Sequence, residues 1–420
     1  MYAAPNELVI LGKQALEQKN VLHAKKYFLD AIRQDASNFD ALHGMARIYF
    51  FERDFPLSCN YLRQCLAHHP QNPDLIEQYA TALDFMGDFK QARDIFEMLN
   101  DYDRNRRQPL IKLPTLYIRH KEWYFVDRFV RPDLIWWYNR DIKGKSIVLD
   151  ISSQWNGRGD VMQIIRYAKH LHKAGAIVTV FVRPDLVPLL KYCPYLAHVI
   201  GSNQEKPTAD ITYELNNDRC IVVMKEQMYG PSPDIPYLYA DEQLTKKWAQ
   251  RLSIDEGMKI GICWQSTKML DHFSSKILPG PKSVPLEKLA PLLQQSFLTF
   301  YSLQKEEDAE IEQWNNGHPH NQIIAYSNLD AVPFMDSAAM IKGLDLIITV
   351  DTAIAHLAGA LGAPVWLMLP YVADYRWFAQ SDTTSPLYPT MKIFRQPRIG
   401  DWESVVVNIT NELKALCNNS

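Results

Sequence analysis

The chain lacks most of the features that would narrow its class at a glance. There is no excess of charge of one sign: 45 lysines and arginines against 48 aspartates and glutamates leave a net charge of -3. That balance removes the electrostatic case for nucleic acid or an acidic membrane surface as the main partner. Cysteine is sparse and scattered, with Cys59, Cys65, Cys193, Cys220, Cys263 and Cys417 forming no CxxC pair. Disulfide scaffolds and zinc ribbons need a framework that this spacing does not supply, and a reducing compartment fits it best. No apolar run is clean enough for a membrane span, since the greasiest stretch, Leu344 to Leu369, holds Asp345, Asp351, His356 and Pro364. Glu7, Lys13 and Glu17 interrupt the N-terminus, which argues against a secretion signal. The expected location is the cytoplasm. What is present is an ordinary globular composition, 47% hydrophobic and 22% charged, over 420 residues. That length holds two or three domains.

The first hundred residues repeat with a period of 34, in windows opening at Pro5, Phe39 and Pro73. Gly12, Ala46 and Ala80 occupy one equivalent position; Ala24, Ser58 and Ala92 another; Phe28, Leu62 and Phe96 a third. Small residues at the first two positions let antiparallel helices approach closely. The large residue at the third fills the groove against the next repeat. The pattern resembles three tetratricopeptide repeats over residues 1–104. Such a stack either caps the domain that follows or offers a concave surface to a peptide or protein. Across 105–145 the prolines Pro109, Pro114 and Pro132 predict a connector broken into short helical pieces. Its interleaved aromatic and basic residues read as packing.

From Ser146 the pattern turns to alternating strands and helices with apolar, non-alternating strands, the signature of parallel sheets covered on both faces. Strands are predicted at Ser146–Ser152, Ala176–Arg183, His198–Gly201, Asp210–Leu215 and Arg219–Met224. A second series, after a polar helix at Ala240–Ser253, places strands at Lys259–Gln265, Leu298–Gln304, Gln322–Ser327, Leu346–Val350 and Val365–Leu369. The expected architecture is two Rossmann-like halves, 146–239 and 240–420, facing each other across a cleft. Ligands should sit at the carboxyl ends of the strands.

Two strand-to-helix turns carry the candidate chemistry. In the first, Asn156, Gly157, Arg158 and Gly159 precede Asp160 at a helix start, where the aspartate is either an N-cap or a cleft-facing acid. In the second, a buried strand runs into Asp351, Thr352 and Ala353, and the first amides of the next helix are free to hold an anion such as a diphosphate. His356 lies one turn further on, either as a structural residue or as one that reaches the cleft.

Longer segments make a resemblance specific. VDTAIAHLAGALGAPVWLMLPYVADYRWF (Val350–Phe378), SPLYPTMKIFRQPRIGDW (Ser385–Trp402) and NGRGDVMQIIRYAKHL (Asn156–Leu171) resemble a bacterial group that joins tetratricopeptide repeats to a domain similar to glycosyltransferase family 9, the heptosyltransferase family. KIGICW, KSVPLEKL and YSLQK match it as well. The resemblance implies a GT-B fold, Asp160 as general base, Asp351 on the donor sugar, and Thr352 and Ala353 on its phosphates. It places His356, Trp264 and Gln304 on the donor side. A basic residue should meet the diphosphate, and Lys268, His272, Lys276 and Lys282 compete for that role across a stretch, Ser266–Pro281, longer than the group's.

The activity implied is inverting transfer from a nucleotide-sugar, with no metal and no cofactor, to an acceptor that the repeats suggest is a protein. Transfer to a lipopolysaccharide or other glycan is one alternative. A repeat scaffold with a degenerate transferase domain is another.

Overall fold

The computed structural model describes residues 4–120, 122, 125, 141–154, 156–215, 234–254, 257–266, 269–270, 277–278, 282–305, 308–326, 329–378, 383–385 and 387–418. Two compact units divide the chain: residues 1–129 with 268–279, and residues 130–267 with 280–420. The predicted strand at Arg219–Met224 and the candidates Lys268, His272 and Lys276 lie outside the described residues. So do most of the connector's aromatics.

The first unit contains six repeat helices: α1 (Pro5–Glu17), α2 (Val21–Gln34), α3 (Phe39–Phe51), α4 (Phe55–His68), α5 (Pro73–Met86) and α6 (Phe89–Tyr102). Their starts keep the sequence period because the caps keep it. Asn20, Asp54 and Asp88 each accept a backbone N–H at the start of the second helix of a repeat, and Asn38 and Asn72 do so for the first helices of the later repeats. Each such cap is worth about 1 kcal/mol. The conserved-volume logic of the pattern is visible at Phe28, which is buried between two glycines. A Cβ on Gly12 would lie 2.6 Å from its ring, and one on Gly44 2.8 Å. Helix α7 (Arg107–Arg119) corrects the expectation that prolines fragment the connector, because it runs through both Pro109 and Pro114. Pro109 falls in the first turn, where a missing N–H costs little. Past Pro114 the helix is held by Leu113, Leu116, Tyr117 and Ile118, all buried. A two-stranded antiparallel ribbon within 268–279 also belongs to this unit, pairing Met269 with Leu278 and Leu270 with Ile277.

The second unit carries two all-parallel sheets. The four-stranded one uses β1 (Ser146–Asp150), β2 (Ile177–Val182), β3 (His198–Gly201) and β4 (Ile211–Glu214) in the order β3-β2-β1-β4. Counting the ribbon strands as β6 and β7, the six-stranded sheet has the order β12-β11-β10-β5-β8-β9. Its strands are β5 (Met258–Cys263), β8 (Leu298–Ser302), β9 (Ile323–Ile324), β10 (Leu346–Val350), β11 (Val365–Leu369) and β12 (Met391–Arg395). Strand β12 lies inside the Ser385–Trp402 segment, where the sequence pattern alone does not mark a strand. Both β10 and β11 are buried along their whole length, which is why their sequences do not alternate. The covering helices are α8 (Arg158–Ile164), α9 (Arg166–Lys173), α10 (Val187–Leu190), α11 (Glu242–Leu252), α12 (Ala290–Leu293), α13 (Asp308–Gly317), α14 (Met335–Ile341), α15 (Ala353–Leu361) and α16 (Trp402–Asn418).

Strand order reverses beside β1 in one sheet and between β5 and β10 in the other. Crevices at such reversals are where open parallel sheets bind ligands. Both candidate turns follow β1 and β10. Among the described residues, no helix is long and apolar enough to cross a membrane.

The repeat packing is directly testable. Phe28→Ala should destabilise the protein by about 3–5 kcal/mol, the usual cost of emptying a buried aromatic site. Urea denaturation measures it, and a loss below 1 kcal/mol would mean that the glycine-lined slot collapses or was never filled.

Candidate active site

The turn after β1 is shaped from within. Asn156 is almost wholly buried and its amide donates to the carbonyls of Ile151 (3.3 Å) and Leu215 (3.0 Å), tying the loop to the ends of β1 and β4. Its amide nitrogen therefore shapes the loop, while Oδ1 is buried without a hydrogen-bond partner among the described residues. Gly157, in extended conformation, is the N-cap of α8. Asp160 sits three residues inside, and its Oδ2 turns back to accept the Gly157 N–H at 2.7 Å. The second glycine also has a packing role. A Cβ on Gly159 would stand 2.6 Å from the His356 ring, so α8 lies against α15 at a distance that only glycine permits. Arg158 points away from these groups and pairs with Asp185 at 2.8 Å, with Arg183 on the same carboxylate at 2.6 Å. Burial would raise the Asp185 carboxyl, but the two arginines hold it below its usual range.

The turn after β10 is built by charge and by an open helix end. Asp351 is buried and paired with Lys282. Of the lysines considered for the phosphate role, Lys282 is thus the one the structure describes, and it reaches the aspartate of the motif. Thr352 is the N-cap of α15 in extended conformation, and its hydroxyl makes no capping bond. The hydroxyl lies instead 3.4 Å from that of Thr349 and 3.8 Å from the Cys263 thiol. The first amide to close a helical turn is that of Ala355, to the Thr352 carbonyl at 3.1 Å. The preceding amides, of Ala353 and Ile354, are of the kind that intrahelical bonding leaves open.

Three of the residues expected on the donor side are bonded within the protein. His356 is only 2% exposed; its Nδ1 lies 2.8 Å from the Tyr388 hydroxyl, and its ring stacks on Trp377. Burial, with Arg376 close by, pushes the imidazole down to about 3, so it is neutral and structural. Trp264 is fully buried, and its indole N–H donates to Glu310 at 3.0 Å. Gln304 accepts the Gln265 N–H at 2.9 Å and braces the end of β5. Both support the turn from behind.

The residues that sequence reasoning missed join the two halves. Arg376 donates from Nη1 to Asp160 Oδ1 at 2.7 Å and to Gln163 at 3.2 Å, and from Nε to Asp374 at 2.9 Å. Burial works against its charge, yet Asp374 and Asp160 keep it firmly protonated, and Asp351 adds to the effect. Asp374 is held well below the usual carboxylate range, because Arg376 and Lys282 outweigh the burial that would raise it. Next to this cluster Arg166, 2% exposed, donates to the Leu387 carbonyl (3.1 Å) and the Tyr237 hydroxyl (2.8 Å). It also lies over the Tyr237 and Tyr388 rings. A signal was present: Asp160, Gln163 and Arg166 recur every three residues along an otherwise apolar helical stretch, which puts polar groups on one buried face.

With this geometry in place, the likenesses to known proteins can be stated. Residues 59–111 match the tetratricopeptide repeat family, and residues 282–367 match glycosyltransferase family 9 (heptosyltransferase). A family 9 glycosyl transferase from Veillonella parvula superposes with a TM-score of 0.49 at 13% identity, over 67% of this chain and 99% of that one. The E. coli ADP-heptose lps heptosyltransferase II superposes with a TM-score of 0.44 at 16% identity, over 64% and 99%. Protein FlbA of Caulobacter vibrioides is 24% identical over 189 residues, 42% of this chain and 29% of that protein. The chain therefore spans under a third of that relative. The two family matches describe a tetratricopeptide-repeat region followed by a family 9 region, and they support a glycosyltransferase.

The buried imidazole makes a prediction about pH. An unfolded histidine titrates near about 6.5, whereas His356 in the fold stays neutral down to about 3. Below pH 6.5 the unfolded chain takes up a proton that the folded chain refuses, so its contribution to stability is complete above that pH and declines as pH falls towards 3. His356→Phe keeps the ring but not the titration. Its urea-derived stability should fall less steeply than the wild type's between about pH 6.5 and 4.5; equal slopes would mean that His356 protonates freely in the folded state.

Proposed function

We propose that this chain is an inverting glycosyltransferase that moves a sugar from a nucleotide-sugar to a protein acceptor, without a metal or other cofactor. The observation that carries the reading is the ion pair of Asp160, from the turn after β1, with Arg376 of the opposite half, the half that also carries the Lys282–Asp351 pair and the open start of α15. A carboxylate and an anion-holding turn, supplied from opposite halves, are the two parts that direct displacement at an anomeric carbon requires.

In this mechanism the acceptor hydroxyl attacks the anomeric carbon as the bond to the diphosphate breaks. Asp160 takes the hydroxyl proton, a contribution of about 10²–10⁴ in rate. The charge that grows on the departing diphosphate is met by the amides of Ala353 and Ile354, by the α15 dipole and by Lys282. Asp351 faces the sugar hydroxyls, as the family resemblance implies.

The protein acceptor rests on the repeats. Their second and third copies form a groove of about 280 Å³ lined by Arg47, Phe50, Phe51, Glu77, Gln78 and Thr81, among others. Aromatic walls with one cation, one carboxylate, an amide and two hydroxyl groups suit an extended peptide better than a small glycan.

The test begins with thermal unfolding against a panel of UDP-, GDP- and ADP-sugars. The true donor should raise stability by mass action, about 2.7 kcal/mol at a hundred times its Kd. Asp160→Asn should keep that stabilisation and lose at least about 10²-fold in turnover. Unchanged turnover would return Asp160 to a purely helix-capping role.

A further inference from the structure

The Asp160 carboxylate is held at both oxygens, and the holding group on one side comes from the opposite half of the unit. We propose that Arg376 is the positioning residue for Asp160: it sets the carboxylate's orientation and ties the base to the opposite half. The inference rests on the reading of Asp160 as the base.

The geometry supports this at three levels. Oδ2 accepts the Gly157 N–H at 2.7 Å and Oδ1 meets Arg376 Nη1 at 2.7 Å, so two anchors on different elements fix the side chain. A carboxylate oxygen can accept more than one hydrogen bond, so an anchored carboxylate can still accept a substrate hydroxyl.

Arg376 is itself placed. Its Nε is bonded to Asp374 at 2.9 Å and its backbone N–H to the same carboxylate at 3.1 Å, while the Trp377 carbonyl accepts from Arg395 at 2.9 Å. Gln163, one turn beyond Asp160 on the same helix, bonds the same guanidinium nitrogen at 3.2 Å. The side chain of Arg376 is only 12% exposed, so water competes little for these bonds.

The residue type also follows. A guanidinium offers donors in a rigid fork, and here two of its nitrogens serve two carboxylates on different elements. A lysine ammonium supplies the charge without the fork. The arrangement has a direct kinetic meaning, since a catalytic group displaced by about 1 Å loses about 10²-fold in rate.

The experiment measures nucleoside diphosphate release by the full chain from UDP-, GDP- and ADP-sugars, with water as acceptor. Water attacks the anomeric carbon, the bond to the diphosphate breaks, and the proton goes to Asp160. Arg376→Gln should lower kcat by about 10²-fold with the KM for the sugar nucleotide changed less than about twofold. Arg376→Lys should recover part of the loss. In an Asp160→Asn background, Arg376→Gln should add no further loss, because Arg376 acts through a group already removed. A residue that merely supports the fold would instead lower kcat in both backgrounds and would not distinguish lysine from glutamine.

Independent losses in the double variant, or wild-type kcat in Arg376→Gln where Asp160→Asn is inactive, would overturn this inference and leave the base reading standing. Wild-type kcat in Asp160→Asn, or no release from any of these sugars by the wild type, would overturn both.

Discussion

The α/β unit depends on one constraint: charged and polar groups from its two halves are largely buried against each other and must satisfy one another there. Asp160 and Gln163 on α8 meet Arg376, and Arg166 at the start of α9 meets Tyr237, Tyr388 and the Leu387 carbonyl. Bonds of this kind need the helices to approach closely. Gly159 permits that approach by leaving space for the His356 ring, and Gly359 does the same for Tyr388, whose ring a Cβ would meet at 2.5 Å. His356 then serves as the neutral spacer between the two, stacked on Trp377 and bonded to Tyr388. A buried ion pair is not a cheap source of stability, since the loss of water around both charges offsets much of their attraction. What it supplies here is registry. The helix that carries Asp160 meets the half that carries Asp351 in one relative position.

That registry connects fold to chemistry. Parallel sheets put the starts of their following helices at one edge, and reversals of strand order open crevices there. The turn after β1 and the turn after β10 fall at those crevices. In the proposed mechanism neither turn suffices alone: one supplies the acid, and the other an open helix start beside an aspartate already paired with Lys282.

Much of this was legible in the sequence, for identifiable reasons. The repeats were readable because caps and small residues recur at one spacing; β10 and β11 because fully buried parallel strands are uninterrupted apolar runs. The two turns were readable because glycine, aspartate and threonine at helix starts have few other uses. Roles were harder. Asn156 and His356 stand beside the candidate chemistry in sequence, and Trp264 and Gln304 lie in segments that the family resemblance singles out, yet each makes hydrogen bonds within the protein, and neither adjacency nor resemblance says which way a side chain turns. Arg376 shows the reverse. It stands 216 positions from Asp160 (376 less 160), and its contact with it exists only once both sheets are assembled. Pro114 misled because proline penalises a helix locally, whereas four buried residues around it reward its continuation.

The central claim is that Asp160 and Arg376 bind each other across the halves strongly enough to set their register. A double-mutant cycle on stability, using Asp160→Asn, Arg376→Gln and the combination, measures that directly by urea denaturation. The account predicts that Arg376→Gln costs about 3–5 kcal/mol, because it leaves Asp160 largely buried without its partner charge, that Asp160→Asn costs less, because Asp374 still pairs with Arg376, and that the double variant costs clearly less than the sum. Costs that simply add would show two residues standing side by side without holding the halves together.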